Sequence, residues 1–239
     1  MVCVTPEQRY LRLLSSFVLN EVYEPGPHVV EGRIWPPGSA LTMIGKKRIN
    51  NIYKALEYIR VNNVEGDLFE AGVWRGGATI FMKGYLEVYN MVDKDVFLAD
   101  SFQGIPAPDI KKYPSDEAHI GCDTLEILKN NSANKVIEAF ERLDLYDEKI
   151  RIIEGWFEDT LHKIQLNKLS LLRIDGDTYQ STWEVLSALY SKLSSGGWVI
   201  IDDMSWEGCA DAVRDFRRKY NINEKVIDID WTGIYWIKS

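Results

Sequence analysis

Residues 169–203 read LSLLRIDGDTYQSTWEVLSALYSKLSSGGWVIIDD, and the fold follows from how this stretch divides. Its apolar runs, LSLLRI and GGWVII, have strand length and the composition of strands covered by helices on both faces. Between them, residues 180–193 carry a helical pattern, with Ser181 or Thr182 as the simplest N-cap. Strand, helix, strand in that order is the unit of a parallel sheet. Each run ends in acid: Asp175-Gly-Asp177 after the first, Asp202-Asp203 after the second.

The same alternation extends outward. Strands are predicted at Asp67–Gly72, Val96–Asp100, Ile150–Glu154, Leu169–Asp175 and Gly197–Asp202, with helical runs near 77–90, 124–143, 157–165, 180–193 and 208–220. Two last strands, Lys225–Asp230 and Gly233–Lys238, are separated by Trp231-Thr232. That link is too short for a crossover, so they must pair as an antiparallel hairpin. The expectation is an α/β chain with a mostly parallel, seven-stranded, doubly wound sheet over residues 64–239. Residues 1–63 read as an N-terminal extension: a helix-like stretch from Tyr10 to Tyr23, an irregular segment, and a second helix. The irregular segment, 24–41, holds four of the eight prolines, which argues against a helix there. The second helix shows apolar residues at 49, 52, 56 and 59.

Composition removes several function classes. The net charge of −8 argues against non-specific nucleic-acid binding. Arg214, Arg217, Arg218 and Lys219 sit beside acids on one predicted helix and read as a solvated face. Cys3, Cys122 and Cys209 are odd in number and widely spaced, which fits a reducing compartment without a disulfide framework or zinc pattern. No segment approaches the ~18 apolar residues needed to cross a bilayer. The expected location is the cytoplasm. His28, His119 and His162 are scattered and give no nucleophilic triad.

Open α/β sheets bind ligands at the carboxyl edge of their strands. In DLFEAGVWRGG (67–77) the first strand ends at Glu70, and Gly72, Gly76 and Gly77 follow. Such a turn lets backbone approach a ligand closely, or merely allows tight packing. It departs from the G-x-G-x-x-G pattern of dinucleotide sites. Asp100, at the tip of the second strand, can accept hydrogen bonds from ribose hydroxyls. Asp175, Asp177, Asp202 and Asp203 would gather on the same edge, where they repel and raise one another's pKa values. A hard divalent cation such as Mg²⁺ resolves that conflict; the alternative is that some of the four are turn or cap residues. A nucleotide-dependent oxidoreductase would account for Glu70 to Gly77 and Asp100 but not for the acidic cluster. A non-catalytic binding protein that kept the fold is a further alternative.

At these residues the chain resembles the macrocin O-methyltransferase (TylF-like) family, which includes mycinamicin and novobiocin tailoring enzymes. The matching segments are GDLFEAGVWRGGATIFM (66–82), FLADSFQGIP (97–106), GWFEDTL (155–161), LLRIDGDTYQSTWEVL (171–186) and GGWVIIDDMSWEGCADAVRDF (196–216), with LTMIGKKRINNI (41–52) upstream. The resemblance implies a class I methyltransferase, Rossmann-like fold using S-adenosylmethionine and Mg²⁺ (or Mn²⁺) to methylate a hydroxyl of a small molecule, a sugar or phenol. It implies Asp175, Asp202 and Asp203 as metal ligands and Asp177 as the general base. Glu70, Gly72 and the turn through Gly76 would hold the methionine end of the cofactor. Asp100 and Ser101 would hold the ribose, and Trp156 and Phe157 with Asp159 the adenine. Met43 would belong to a covering segment. Asp100-Ser101 stands where many members have Asp-Thr. The first 40 residues and the loop Ala107–Asp123 match nothing in the family pattern, so the acceptor is not named. Trp206, Trp231, Tyr235 and Trp236 read either as a wall of the acceptor pocket or as core. The relatives also suggest a homodimer through the N-terminal region; nothing in the sequence itself does.

Overall fold

Seven strands, β1 (Asp67–Ala71), β2 (Val96–Asp100), β3 (Ile150–Glu154), β4 (Leu169–Ile174), β5 (Leu193–Ile201), β6 (Ile227–Asp228) and β7 (Ile234–Ile237), form one sheet in the order β3-β2-β1-β4-β5-β7-β6. This computed structural model describes residues 4–33, 35–36, 38–120 and 129–239. β1 pairs in parallel with both β2 and β4, so the chain reverses its direction of winding between them. A doubly wound sheet opens a crevice at that switch point. The last three strands pair antiparallel, as the short Trp231-Thr232 link requires, with β7 inserted beside β5 and β6 on the outer edge.

The helices are α1 (Pro6–Val18), α2 (Pro27–Glu31), α3 (Gly45–Val61), α4 (Gly77–Val88), α5 (Ala133–Arg142), α6 (Phe157–Thr160), α7 (Tyr179–Leu189) and α8 (Glu207–Lys219). Two-residue alternation along the strands feeds two cores. Leu68, Leu98, Leu171 and Ile200 pack with Ile49, Ile52 and Leu56 of α3 and Ile80 of α4. Phe69, Leu172, Val199 and Ile201 pack with Val185 and Leu186 of α7 and Val213 and Phe216 of α8. Helix α4 is buried at every residue from Gly77 to Leu86, because α1 and α3 cover its outer face. Leu11, Leu14 and Val18 of α1 thereby belong to the same apolar cluster as β1 and β2.

The structure departs from the sequence expectations locally. A short helix, α2, stands in the proline-rich segment expected to be irregular; Pro27 occupies its first turn, where a missing N–H costs nothing. Helix α1 begins earlier than Tyr10, at Pro6, under a capping box between Thr5 and Gln8. The cap of α7 is Thr178, whose hydroxyl accepts the Ser181 N–H at 3.0 Å, rather than Ser181 or Thr182. Strand β5 starts at Leu193, four residues before Gly197, where the ladder with β4 shifts register. The helix expected over 124–143 is interrupted, since Ser132 caps α5; residues 124–128 of that expectation, like Cys3 and Cys122, lie outside the described residues. Cys209 is buried and free. Among the described residues no helix is long and apolar enough to cross a membrane.

Tyr235 stacks on Trp198 at 4.3 Å between centroids, and Trp236 is fully buried under Arg217. Both therefore belong to the packing of the sheet. Trp236→Ala is expected to lower the unfolding free energy by about 3–5 kcal/mol, read from urea denaturation. A loss below about 1 kcal/mol would contradict the packing described.

Candidate active site

The hydrogen-bond ladder continues one residue past the ends of three strands. Gly72 N–H donates to Ala99, Asp175 N–H to Ala71 and Asp202 N–H to Ile174, at 2.8–2.9 Å. Three site residues are thus laid side by side by backbone alone. Gly72 is obligatory here: its φ is +84°, and a Cβ would overlap the Asp175 carbonyl oxygen. After Asp175 the chain turns sharply, with Asp177 at φ +57°, a left-handed conformation that Asp tolerates better than most residues. Asp177 N–H then donates to the Asp203 carboxylate at 3.2 Å. The outcome is that oxygens of Asp175, Asp202 and Asp203 all lie within 4.8 Å of one another.

This cluster is electrostatically loaded. Burial and then the neighbouring Asp202 push the Asp175 carboxyl above the usual range, against the pull of Arg173 and Arg48. Burial, helped by Asp175 and Asp202, raises Asp177 to about 7. Burial and then Asp177 raise Asp203 well above the ordinary carboxylate. Two guanidiniums offset part of the charge. Arg173, buried in β4 opposite Glu70 of β1, pairs with Glu70, with Asp175 at 2.9 Å and with Asp202 at 2.6 Å. Arg48 of α3 pairs with the other oxygen of Asp202 and with Asp230 at 3.1 Å. Glu70, Asp175, Asp202 and Asp230 thus share two guanidiniums, and Asp177 and Asp203 beside them have none, so the cluster holds more carboxyl groups than cations. An oxygen-only donor set with more carboxyl groups than neighbouring cations fits a hard divalent cation.

A cavity of about 470 Å³ opens over this edge, lined among others by Met43, Glu70, Gly72, Asp100, Ser101, Trp156, Phe157 and all four aspartates. Glu70 is pushed up to about 8 by burial, with Arg173 pulling it down, and its Oε2 has no partner among the described residues. An orphaned, buried carboxylate oxygen in a cavity wall fits a site completed by a cationic ligand group. Asp100 accepts the N–H groups of Val73 at 2.7 Å, Trp74 at 3.0 Å and Phe102 at 2.7 Å, so it shapes the glycine turn as well as lining the cavity. Met43 lines the cavity, and Gly32, at φ +62°, lets two backbones touch beside it; a Cβ there would overlap the Met43 carbonyl oxygen.

Two residues fall elsewhere than expected. Gly76 faces Val136 of α5, which a Cβ would meet at 2.8 Å, so it serves the turn and its packing and does not line the cavity. Asp159 is exposed and off the cavity; on the single turn of α6, Glu158 stands at the lining position. Conversely, Trp206 and Trp231 do line the cavity, with Arg48, Arg173 and His119. Arg173 had a sequence signal, a charge inside an apolar strand that must find a partner. Arg48 and His119 had none.

The start of α4 separates the candidate cofactors. A pyrophosphate would need the free N–H groups of that helix terminus. Gly77 N–H instead donates to the Leu41 carbonyl at 2.9 Å, and a Cβ on Gly77 would meet Leu41 at 2.6 Å, so backbone already crosses there. The model of the macrocin O-methyltransferase (TylF) family matches residues 26–238. The chain belongs to the TylF family. It is an O-methyltransferase of the kind that tailors secondary metabolites. It is 45% identical over 251 residues to demethyldecarbamoylnovobiocin O-methyltransferase of Streptomyces niveus, covering 96% of this chain and 93% of that one. It is 37% identical to 8-demethyl-8-(2,3-dimethoxy-alpha-L-rhamnosyl)-tetracenomycin-C 4'-O-methyltransferase of Streptomyces olivaceus, over 93% of this chain and 84% of that one. The solved O-methyltransferase NovP superposes with a TM-score of 0.93 at 42% identity, covering 98% of this chain and 99% of that one. Membership in the TylF family removes the oxidoreductase and non-catalytic readings.

Removing the cation buried between Glu70, Asp175 and Asp202 leaves charges without a partner. Arg173→Met is expected to destabilise this TylF-family chain by about 3–5 kcal/mol in chemical denaturation. An unchanged midpoint and slope would show that the network contributes nothing.

Proposed function

We propose that this chain methylates a sugar hydroxyl of a glycosylated secondary metabolite, using S-adenosylmethionine and a divalent cation, Mg²⁺ or Mn²⁺. The observation that carries the reading is the convergence of Asp175, Asp202 and Asp203 at one edge of the sheet, beside Asp177 and the open cavity. The rhamnosyl group in the name of the Streptomyces olivaceus relative supports a sugar over a phenol. The cysteine usage supports a cytoplasmic setting.

Glu70, Gly72, Asp100, Ser101, Trp156 and Phe157 are the residues that would hold the cofactor, which supplies an electrophilic methyl group on a sulfonium. The unpartnered Oε2 of Glu70 suits its ammonium group, the Asp100 carboxylate suits ribose hydroxyls, and Trp156 and Phe157 suit the flat adenine. Asp175, Asp202 and Asp203 would hold the cation, which supplies Lewis acidity toward the acceptor hydroxyl. Arg48 and Arg173 each bind one oxygen of Asp202, fixing its plane while leaving a lone pair on each oxygen. Asp177 takes the hydroxyl proton on its carboxylate as the acceptor oxygen attacks. Its environment favours that role, since burial raises it to about 7, near the pH at which a base works best. The rest is positioning: acceptor oxygen, methyl carbon and sulfur must lie in line, and the Met43 segment closes over the cavity to hold them.

Calorimetric titration with S-adenosylhomocysteine, with and without Mg²⁺, tests the cofactor directly; no binding in either condition would remove the reading. Asp177→Asn is expected to lower turnover by about 10²–10⁴-fold with S-adenosylhomocysteine affinity intact, and near-normal turnover would send the search for the base elsewhere. Because burial and mutual repulsion raise Asp175, Asp177 and Asp203, the metal-free cluster holds protons more tightly than free carboxylates do, and the cation must displace them. Mg²⁺ affinity should therefore fall as pH is lowered, with proton release on binding seen in buffers of different ionisation enthalpy. Affinity independent of pH, without proton release, would contradict a carboxylate site.

A further inference from the structure

The 3-10 turn Pro114–His119 has no part in the reading above, yet it is fastened to the site. The Asp116 carboxylate accepts the N–H groups of Tyr179 at 2.6 Å and Gln180 at 3.3 Å, at the start of α7. Ser115 donates to Asp211 of α8 at 2.5 Å, and Gly208 of α8 leaves room for Asp116 where any Cβ would overlap it. The turn therefore sits as rigidly as α7 and α8, directly after Asp175-Gly-Asp177.

What this anchoring positions is the imidazole of His119. It is 2% exposed, lines the cavity, and lies against the Trp206 indole with ring centroids 4.7 Å apart. Trp206 in turn faces Asp177, whose pKa its indole N–H pulls down. Neither ring nitrogen of His119 has a hydrogen-bond partner among the described residues. Burial pushes the imidazole toward its neutral form, although the Asp116 charge and the nearby Asp116 backbone, too poorly placed for a full hydrogen bond, pull the other way. A neutral imidazole offers one donor and one acceptor. A buried ring with both left over is unfavourable, and such groups persist where a ligand completes them.

A sugar is the ligand that matches both rings. Its C–H face packs on an indole, and its hydroxyls both donate and accept. We infer that His119, seated on Trp206, is an acceptor-binding residue that hydrogen-bonds a second hydroxyl of the sugar, distinct from the one that Asp177 deprotonates. The inference rests on the sugar-methylating reading above. It adds a specificity element: a sugar lacking that second hydroxyl would leave His119 unpaired and bind more weakly.

The test uses the full chain with S-adenosylhomocysteine and MgCl₂, and methyl α-L-rhamnopyranoside as the probe. The chain has three histidines, so ¹⁵N-labelled imidazole resonances can be assigned by their loss in His119→Phe. Titration with the rhamnoside should shift the His119 resonances and leave those of His28 and His162 in place. His119→Phe should weaken rhamnoside binding about 3- to 10-fold, the effect of one neutral hydrogen bond. S-adenosylhomocysteine affinity should stay within about twofold and Tm should not fall, because Phe fills the ring volume without buried polar atoms. His119→Gln, which keeps a donor and an acceptor, should recover part of the affinity. Unmoved His119 resonances, or unchanged rhamnoside affinity with a lowered Tm, would overturn the assignment and leave His119 a structural residue. A failure of the sugar-methylating reading shows separately, as absence of S-adenosylhomocysteine binding in the unsubstituted protein, and would overturn both.

Discussion

Arg173 lies one residue from the carboxyl end of β4, fully buried, where an unpaired guanidinium could not remain. Its partners are supplied by three different strand ends: Glu70 from β1, Asp175 from its own strand and Asp202 from β5. The pairing therefore ties the edge of the sheet at its switch point, and it does so with the acids that the proposed chemistry uses. A buried charge network of this kind stabilises little by itself, because desolvation consumes most of the attraction. Its effect is to specify geometry. Any slip of β4 against β1 or β5 would separate a buried cation from its anions, so register and site are set together.

Arg48 extends the same constraint to the N-terminal elements. From α3 it reaches Asp202 and Asp230, and it also donates to the Glu31 carbonyl at 3.2 Å, which Trp231 holds from the other side at 2.9 Å. The covering segment from α2 to α3, the terminal hairpin and the carboxylate edge are thus joined through one side chain. Asp230 completes the joint by accepting the Thr232 and Gly233 N–H groups, which closes the hairpin link. Residues that enclose the cavity from three separate parts of the chain share these partners.

How much of this was legible in the sequence depended on whether the signal was local. The apolar runs at 169–174 and 197–201 and the acids that follow them are local, and they fixed the parallel core and the carboxylate edge. The two-residue link at Trp231-Thr232 fixed the antiparallel pair by length alone. The first four residues of β5, Leu193–Gly196, were missed because serine and glycine there read as loop, and pairing with the neighbouring strands overrides that preference. Asp159 was displaced from the cavity by the rotation of a single helical residue, which no spacing argument on so short a turn resolves. The partnership of Arg48 with Asp230 spans 182 positions, and that of Ser115 with Asp211 spans 96. Such contacts exist only once the sheet has brought distant elements together. His119 looked unremarkable for the same reason: its meaning lies in Trp206.

The backbone ladder that runs past the strand ends sets how readily the charged edge of the sheet opens. The amides of Gly72, Asp175 and Asp202 are bonded into the central sheet. They exchange their hydrogens only when that sheet comes apart as a unit. The segment leading into Met43 is tied instead to two helices: Leu41 and Thr42 N–H groups donate to the Val18 carbonyl of α1, and the Gly77 N–H of α4 donates to the Leu41 carbonyl. The charged edge of the sheet is therefore among the last parts of the chain to lose its shape.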